Sequence, residues 1–365
     1  MRILSRYVFK EFCVPLVYTL VGFFSIYVLF ELFSSFGRLS AADPGIGVIV
    51  RYFLSYFAPQ FKWFAPACLM LATLYTMWNF CRHSELIAMR ASGVGFFAIV
   101  KPLLLVAIAM AGFTYWVNES FVPENAQWAK DFRAVKFKAE DMSISEGRGV
   151  FHNESAGRTW KWAKYLDGNA SSLGNVLIVE NYPSGSRRVT VNAERADYRD
   201  GRWWFTSPKV SWFTPNGNET VSPAPDADSL TYRTFDYDET PRDFLLQSRD
   251  ELFYSIADRM RFLEMNASMD EKGRREFAYA IWAQIFSPLA CLVITLFAIP
   301  AGVATGRQSV FKGVLGALGM FFAFYALTVG CMVLAQLGFM PPIPAAALPH
   351  AVFFVIGCIL FNRQR

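Results

Sequence analysis

The sequence predicts a helical membrane protein in which six transmembrane helices are interrupted at their midpoint by an inserted all-β jellyroll domain. Three observations predict it. Hydrophobic residues make up 54% of the 365, with 36 Phe among them, beyond the usage of soluble domains. Apolar runs approach the about 20 residues that a helix needs to cross ~30 Å of hydrocarbon near residues 14–33, 61–80, 96–117, 277–303, 311–337 and 345–361. Residues 119–276 form a polar insert too long for a loop and large enough for a core of its own.

The first run follows Met1-Arg2, Arg6 and Lys10, as a signal peptide would. Its core is too long for one, and Glu31 and Arg38 interrupt the approach to the small residues at 40–42, so an uncleaved helix is expected. The second run has an early limit at Tyr52. Arg2, Arg6, Lys10, Arg82, Arg90, Lys101, Arg307, Lys312, Arg363 and Arg365 fall on one side of the spans, and Arg38 and Arg51 on the other. Lys and Arg accumulate on the cytoplasmic side, so both termini are expected there and the insert outside, in the periplasm of a Gram-negative cell. Cys13, Cys68, Cys81, Cys291, Cys331 and Cys358 lie in or beside spans and the insert has none, so no disulfide framework is expected.

Within the insert, runs rich in Val, Ile, Tyr, Trp and Thr at residues 158–166, 175–182, 187–198, 202–213 and 229–237 read as strands. Asp167-Gly168, Pro183-Ser184-Gly185, Asp200-Gly201 and Pro215-Asn216-Gly217 separate them as turns. The result is a mostly antiparallel sheet, a jellyroll or sandwich. Residues 243–265 then carry apolar side chains at spacings of three and four, the pattern of one helix leading back to the membrane. Pro288 and Pro300 should bend or end the fourth span. The expected domains are 1–118 (spans one to three, with a cytoplasmic helix near 84–93), 119–242 (jellyroll), 243–276 (helical connector) and 277–365 (spans four to six).

The insert holds 22 Lys and Arg against 26 Asp and Glu, net −4, which leaves 13 against 4, net +9, for the membrane part. Orientation explains ten of the thirteen, so Arg38, Arg51 and Lys62 need a second explanation. No Gly-x-x-x-x-Gly-Lys-Ser/Thr loop is present for binding ATP. His83, His152 and His350 lie far apart in different compartments, against a metal site or a catalytic triad. No catalytic residue, metal or cofactor is expected in the chain, and no nucleic acid partner.

Residues 84–93, Ser-Glu-Leu-Ile-Ala-Met-Arg-Ala-Ser-Gly, carry the most specific local signal. Ser84 is expected to cap a helix with its side chain, Glu85 to sit where the macrodipole favours an anion, and Gly93 to take the left-handed terminus. Glu85, Ala88, Met89 and Ser92 would share one face. This is either a surface helix between spans or a coupling helix inserted into a cytoplasmic motor.

That segment resembles the loop between spans two and three of the lipopolysaccharide-export permeases, the LptF/LptG (YjgP/YjgQ) family. Pro59 and Pro66 ahead of it, Phe277-Ala-Tyr-Ala, Ile299-Pro300-Ala-Gly302, Gly338-Phe-Met-Pro-Pro342 and the terminal residues 357–363 are similar to the family too, so the likeness covers essentially the whole chain. The resemblance implies a permease subunit of an ABC exporter in the bacterial inner membrane. Such a subunit extracts lipopolysaccharide and passes it through its periplasmic jellyroll to a bridge towards the outer membrane. Implied partners are an LptB-like ATPase dimer, which binds ATP and Mg, a second LptF-like or LptG-like permease, and LptC-like and LptA-like bridge proteins. By position, Glu85 would be the coupling carboxylate, with Leu86, Met89 and Arg90 around it. Lys62, with Arg38 and Arg51, would hold lipid phosphates, and Phe23, Phe30, Phe321 and Phe324 would line an acyl-chain cavity or gate between spans one and five. Trp203, Trp204, Phe205 and Trp212 would offer a lipid slide in the jellyroll. A stand-alone secondary transporter, or a receptor or scaffold with an exterior sensing domain, are the readings from other classes.

Overall fold

The computed structural model describes residues 2–42, 45–137, 149–166, 170–220, 232–248, 250–267, 269–307 and 310–363. They fall into two units, Met1–Phe137 with Glu271–Arg365, and Lys138–Asp270. The helices run in chain order α1 (Arg2–Ala42), α2 (Ile46–Phe57), α3 (Phe61–Arg82), α4 (Glu85–Ala91), α5 (Phe96–Trp116) and α6 (Val122–Phe137), then, beyond the strands, α7 (Pro241–Ser248), α8 (Ile256–Met265), α9 (Glu271–Phe286), α10 (Ala290–Arg307), α11 (Val310–Gln336) and α12 (Pro342–Asn362).

Six helical runs among the described residues are long and apolar enough to cross a membrane: Ile3–Phe36, Ile46–Arg82, Phe96–Lys130, Glu271–Val303, Gly313–Gln336 and Pro342–Asn362. Three of them bend where the sequence withdraws a backbone donor. Pro59 lies in the 3-10 turn Ala58–Gln60 that joins α2 to α3, so the second run begins at Ile46 rather than near residue 52 or 61. Between α5 and α6 a π turn, Val117–Phe121, precedes Pro123, and the Asn118 and Asn125 side chains donate to the carbonyls of Thr114 and Phe121 at 2.9 and 3.0 Å. The helix therefore continues through Phe137, past the boundary expected at residue 118. Pro288 sits in the 3-10 turn Ser287–Leu289 between α9 and α10, whereas Pro300 lies inside α10 without ending it.

The centre of the helical unit is the pair α3 and α10. A Cβ at Gly302 on α10 would lie 2.7 Å from Met77 Cβ and 3.3 Å from the Leu74 carbonyl on α3, so only glycine permits this approach. Leu69, Met77 and Phe80 of α3 share a core with Ile99 and Leu103 of α5 and with Ile299 and Val303 of α10. α1 packs on α3 and α5, while α11 packs on α9, α10 and α12, which puts spans one and five on separate flanks.

The second unit is an antiparallel sheet of eight strands, β1 (Gly149–Asn153), β2 (Arg158–Tyr165), β3 (Ser172–Asn181), β4 (Arg187–Arg199), β5 (Arg202–Thr206), β6 (Lys209–Phe213), β7 (Glu219–Thr220) and β8 (Tyr232–Phe235). β1 to β4 form a meander. The far edge of β4 pairs with β5 through residues 195–199 and with β6 through residues 189–192. The expected strand 202–213 is thus two strands on one edge, broken where Ser207 takes φ 50° ahead of Pro208. Asp200-Gly201 has positive φ at both positions (52° and 76°), as a tight hairpin between right-twisted strands requires. β1 and β7 were not predicted, and the Asp167-Gly168 turn lies outside the described residues.

Alternate side chains of the sheet, Trp160, Val176, Ile178, Val191, Trp203 and Phe205, make one buried cluster closed by Phe244 of α7 and Met265 of α8. The architecture is jellyroll-like. The helix expected over 243–265 is two helices, because Ser255 and Asp258 form a reciprocal capping box that starts α8. Fully buried Glu239 fastens the segment after β8 to the sheet: Arg158 Nη1 donates to its Oε2 at 2.7 Å, Asn153 Nδ2 donates to its Oε1 at 2.8 Å, and Trp203 Nε1 donates to its main-chain carbonyl at 2.6 Å. The Arg158 guanidinium also lies 4.2 Å above the Tyr237 ring. Burial raises the Tyr237 phenol above its ordinary value and pushes that of Tyr165 up to about 12.

Candidate functional site

α4 is too short to stand alone and is held at both ends. His83 closes α3, and Ser84 turns the chain by adopting φ 58°. The Ser84 carbonyl accepts the first α4 bond from Ala88 N–H at 3.0 Å. Its side chain makes no capping hydrogen bond, which corrects the expected cap: the left-handed backbone that reverses the chain replaces the extended conformation in which a serine hydroxyl reaches the helix amides.

At the other end Gly93, φ 85°, donates to the Arg90 carbonyl at 3.0 Å, and Val94 donates to that of Met89 at 3.4 Å. These are the two bonds of a Schellman motif, and the accompanying apolar contact is between Val94 and Met89, which join one core.

The faces of α4 differ from the sequence expectation in one respect that matters. Leu86 and Met89 turn inward into the cluster of Val8, Phe12, Phe80, Phe96 and Ile99. They fix α4 to α1, α3 and α5 and are not exposed for a partner, because a seven-residue helix needs an apolar anchor to hold its place. Ile87 is 60% exposed, and Ala88, Arg90 and Ala91 are exposed as well. Glu85 is half-buried, its Oε2 accepting from the Tyr7 hydroxyl at 2.8 Å. The Arg90 guanidinium lies 6.0 Å from the Phe96 ring. Together these residues present a short, rigidly mounted surface with a carboxylate at one end and a guanidinium near the other.

The basic residues expected to hold phosphate are not gathered at one point. Lys62 is half-buried in the first turn of α3, with Nζ 5.7 Å from the Trp63 ring, and Trp63 packs on Tyr325 of α11 at 5.3 Å. Arg51 of α2 lies 4.2 Å over Trp128 of α6. Trp128 borders the cluster of Tyr52, Phe53, Ala129 and Phe132. The Arg38 side chain lies outside the described residues. Glu31, the acidic residue within the first span, is buried beside that cluster and accepts from the hydroxyls of Ser35 and Tyr52, each at 2.8 Å. An acidic residue inside an apolar run was the available signal.

The aromatic candidates divide. Phe30 is 73% exposed on α1. Phe23 is half-buried against Phe64 at 5.4 Å, and Phe321 against Tyr325 at 4.8 Å. Phe324 is buried among Ile294, Phe297 and Phe353, so it belongs to helix packing rather than to a cavity wall. In the sheet, Trp203 and Phe205 are likewise core by strand alternation, and Trp204 faces out. Among the described residues no group of three or more His, Cys, Asp or Glu is placed to hold a metal ion.

Six membrane-length helices, a jellyroll-like domain inserted between the third and fourth, and a short helix pinned between the second and third define the class of a multi-pass membrane protein. Residues 6–363 match the family described as lipopolysaccharide export system permease LptF/LptG, and the chain belongs to that family. It is 25% identical over 375 residues to the lipopolysaccharide export system permease protein LptG of Escherichia coli strain K12, covering 99% of this chain and 98% of that protein. To the LptG protein of Haemophilus influenzae (KW20 / Rd) it is 24% identical over 371 residues, covering 99% of each.

Proposed function

We propose that this chain is one permease half of an ABC exporter that extracts lipopolysaccharide from the inner membrane and hands it through the β unit to a periplasmic bridge. What carries the reading is the family match running from residue 6 to residue 363, through both the helical and the β unit. The full-length likeness to LptG proteins favours the LptG-like half, with an LptF-like partner chain. Both termini and α4 face the cytoplasm and the β unit faces the periplasm, a reading supported by the Lys and Arg distribution.

ATP and Mg bind a separate LptB-like ATPase dimer. Glu85 and the exposed side chains of Ile87 and Arg90 are its contact on this chain, and the buried Leu86 and Met89 pass the motion on to α1, α3 and α5. Lys62, Arg51 and Arg38 meet the lipid phosphates, and the exposed faces of α1 and α11 complete an acyl-chain cavity with the partner permease. LptC-like and LptA-like proteins receive the lipid from the β unit. The test is affinity purification of the full chain with mass spectrometry of what comes with it. An ATPase and lipopolysaccharide are expected together, and purification with neither would overturn the proposal.

A further inference from the structure

A groove of ≈ 650 Å³ lies between the start of α1 and the first half of α5, and Val94, which follows α4, is part of its wall. Its volume is that of sites for lipid-sized or drug-sized molecules, about 300–1,000 Å³. Arg6 and Lys101 line it, both exposed, and neither is bonded to a carboxylate among the described residues. Apart from Ser5 the rest of the wall is apolar, with Phe9, Leu105, Val106 and Ala109 among its side chains. Lys101 and Ala109 are separated by about 12 Å along a helix rising 1.5 Å per residue, which fits within the ~15 Å of hydrocarbon in one leaflet. Arg6 and Lys101, each followed along its helix by apolar wall residues, Phe9 on α1 and Leu105, Val106 and Ala109 on α5, complement a molecule with an anionic head and a single-leaflet tail.

We propose that this groove binds an anionic glycerophospholipid, with Arg6 and Lys101 on its phosphate and an acyl chain along Phe9, Leu105, Val106 and Ala109. The charge pair distinguishes this occupant from a partner's transmembrane helix, whose apolar flank would leave two cations unpaired at its end. The proposal stands apart from the export reading, since it needs neither an ATPase nor lipopolysaccharide.

Native mass spectrometry of the full-length chain in detergent tests it, with phosphatidylglycerol and phosphatidylcholine added in turn. Phosphatidylglycerol should be retained with a preference of up to about thirtyfold, set by two basic residues at the membrane surface. The paired change Arg6→Ala with Lys101→Ala should abolish that preference, and Arg6→Lys with Lys101→Arg should keep it. Equal retention of both lipids by the unaltered chain, or an undiminished preference in the alanine pair, would overturn the assignment. A benzophenone side chain in place of Ala109 gives a second readout that does not depend on how the alanine pair folds. Capture of phosphatidylglycerol supports the proposal, whereas capture of a polypeptide or of lipopolysaccharide contradicts it.

Discussion

Tyr7 in the first turns of α1 donates its hydroxyl to the Glu85 carboxylate at the start of α4, across 2.8 Å. The two residues are 78 positions apart in sequence. The carboxylate proposed as the ATPase contact is therefore also tied to the first span, and on that proposal a push on α4 would reach α1 through it as well as through the buried Leu86 and Met89. Tyr7→Phe removes this bond alone. Lipopolysaccharide released per ATP hydrolysed should fall about threefold to tenfold, the range of a hydrogen bond worth about 0.5–1.5 kcal/mol, with the amount of copurified ATPase unchanged.

The inward and outward faces of α4 separate stability from docking. Leu86→Ala empties a buried site and should destabilise the helical unit by about 2 kcal/mol, the lower end for a buried leucine, read as a lowered Tm. Ile87→Asp alters an exposed position and should leave Tm in place while reducing ATPase retention in a pull-down. The reverse pattern would show that α4 docks through its other face.

Glu239 joins β1, β2 and β5 to the segment entering α7 from a fully buried position. Glu239→Ala leaves the Arg158 guanidinium only the more distant Glu180 carboxylate, at 3.9 Å, and breaking a buried pair costs about 3–5 kcal/mol, of which the lower end is expected here. Hydrogen exchange should rise through β1, β2 and α7 while α3 and α10 stay protected.

Lys62 is held beside Trp63, whose ring reaches Tyr325 of α11. If it meets a lipid phosphate, Lys62→Glu should abolish photocrosslinking to lipopolysaccharide at neighbouring positions, and Lys62→Arg should retain it. Equal crosslinking in all three proteins would leave Lys62 as an interface anchor.

The architecture was legible because its signals are long or repeated: membrane-length apolar runs, period-two alternation around Trp160 and Trp203, and turns such as Asp200-Gly201. The departures arise where a short-range feature depends on tertiary placement. The break ahead of α8 was written in Ser255 and Asp258, but the apolar spacing across residues 243–265 concealed it. β1 and β7 are short, and their pairing partners define them more than their composition does. For the candidate site, the left-handed Gly93 was readable because glycine alone takes that conformation without strain. Which side of α4 is buried was not, since Leu86, Ile87 and Met89 are all apolar and only packing on Val8 and Phe12 chooses among them. The Tyr7 contact to Glu85 was invisible for the same reason.

On the proposed function, Glu85 and the exposed face of α4 carry the work of a separate ATPase into this chain. Nucleotide-dependent release of lipopolysaccharide from proteoliposomes holding the full chain with its copurified partners measures that directly, with Glu85→Ala set beside the unaltered protein. Release should require ATP and fall at least about tenfold in the variant, the loss of roughly one charge-assisted contact. Undiminished release by Glu85→Ala, with the ATPase still bound, would contradict it.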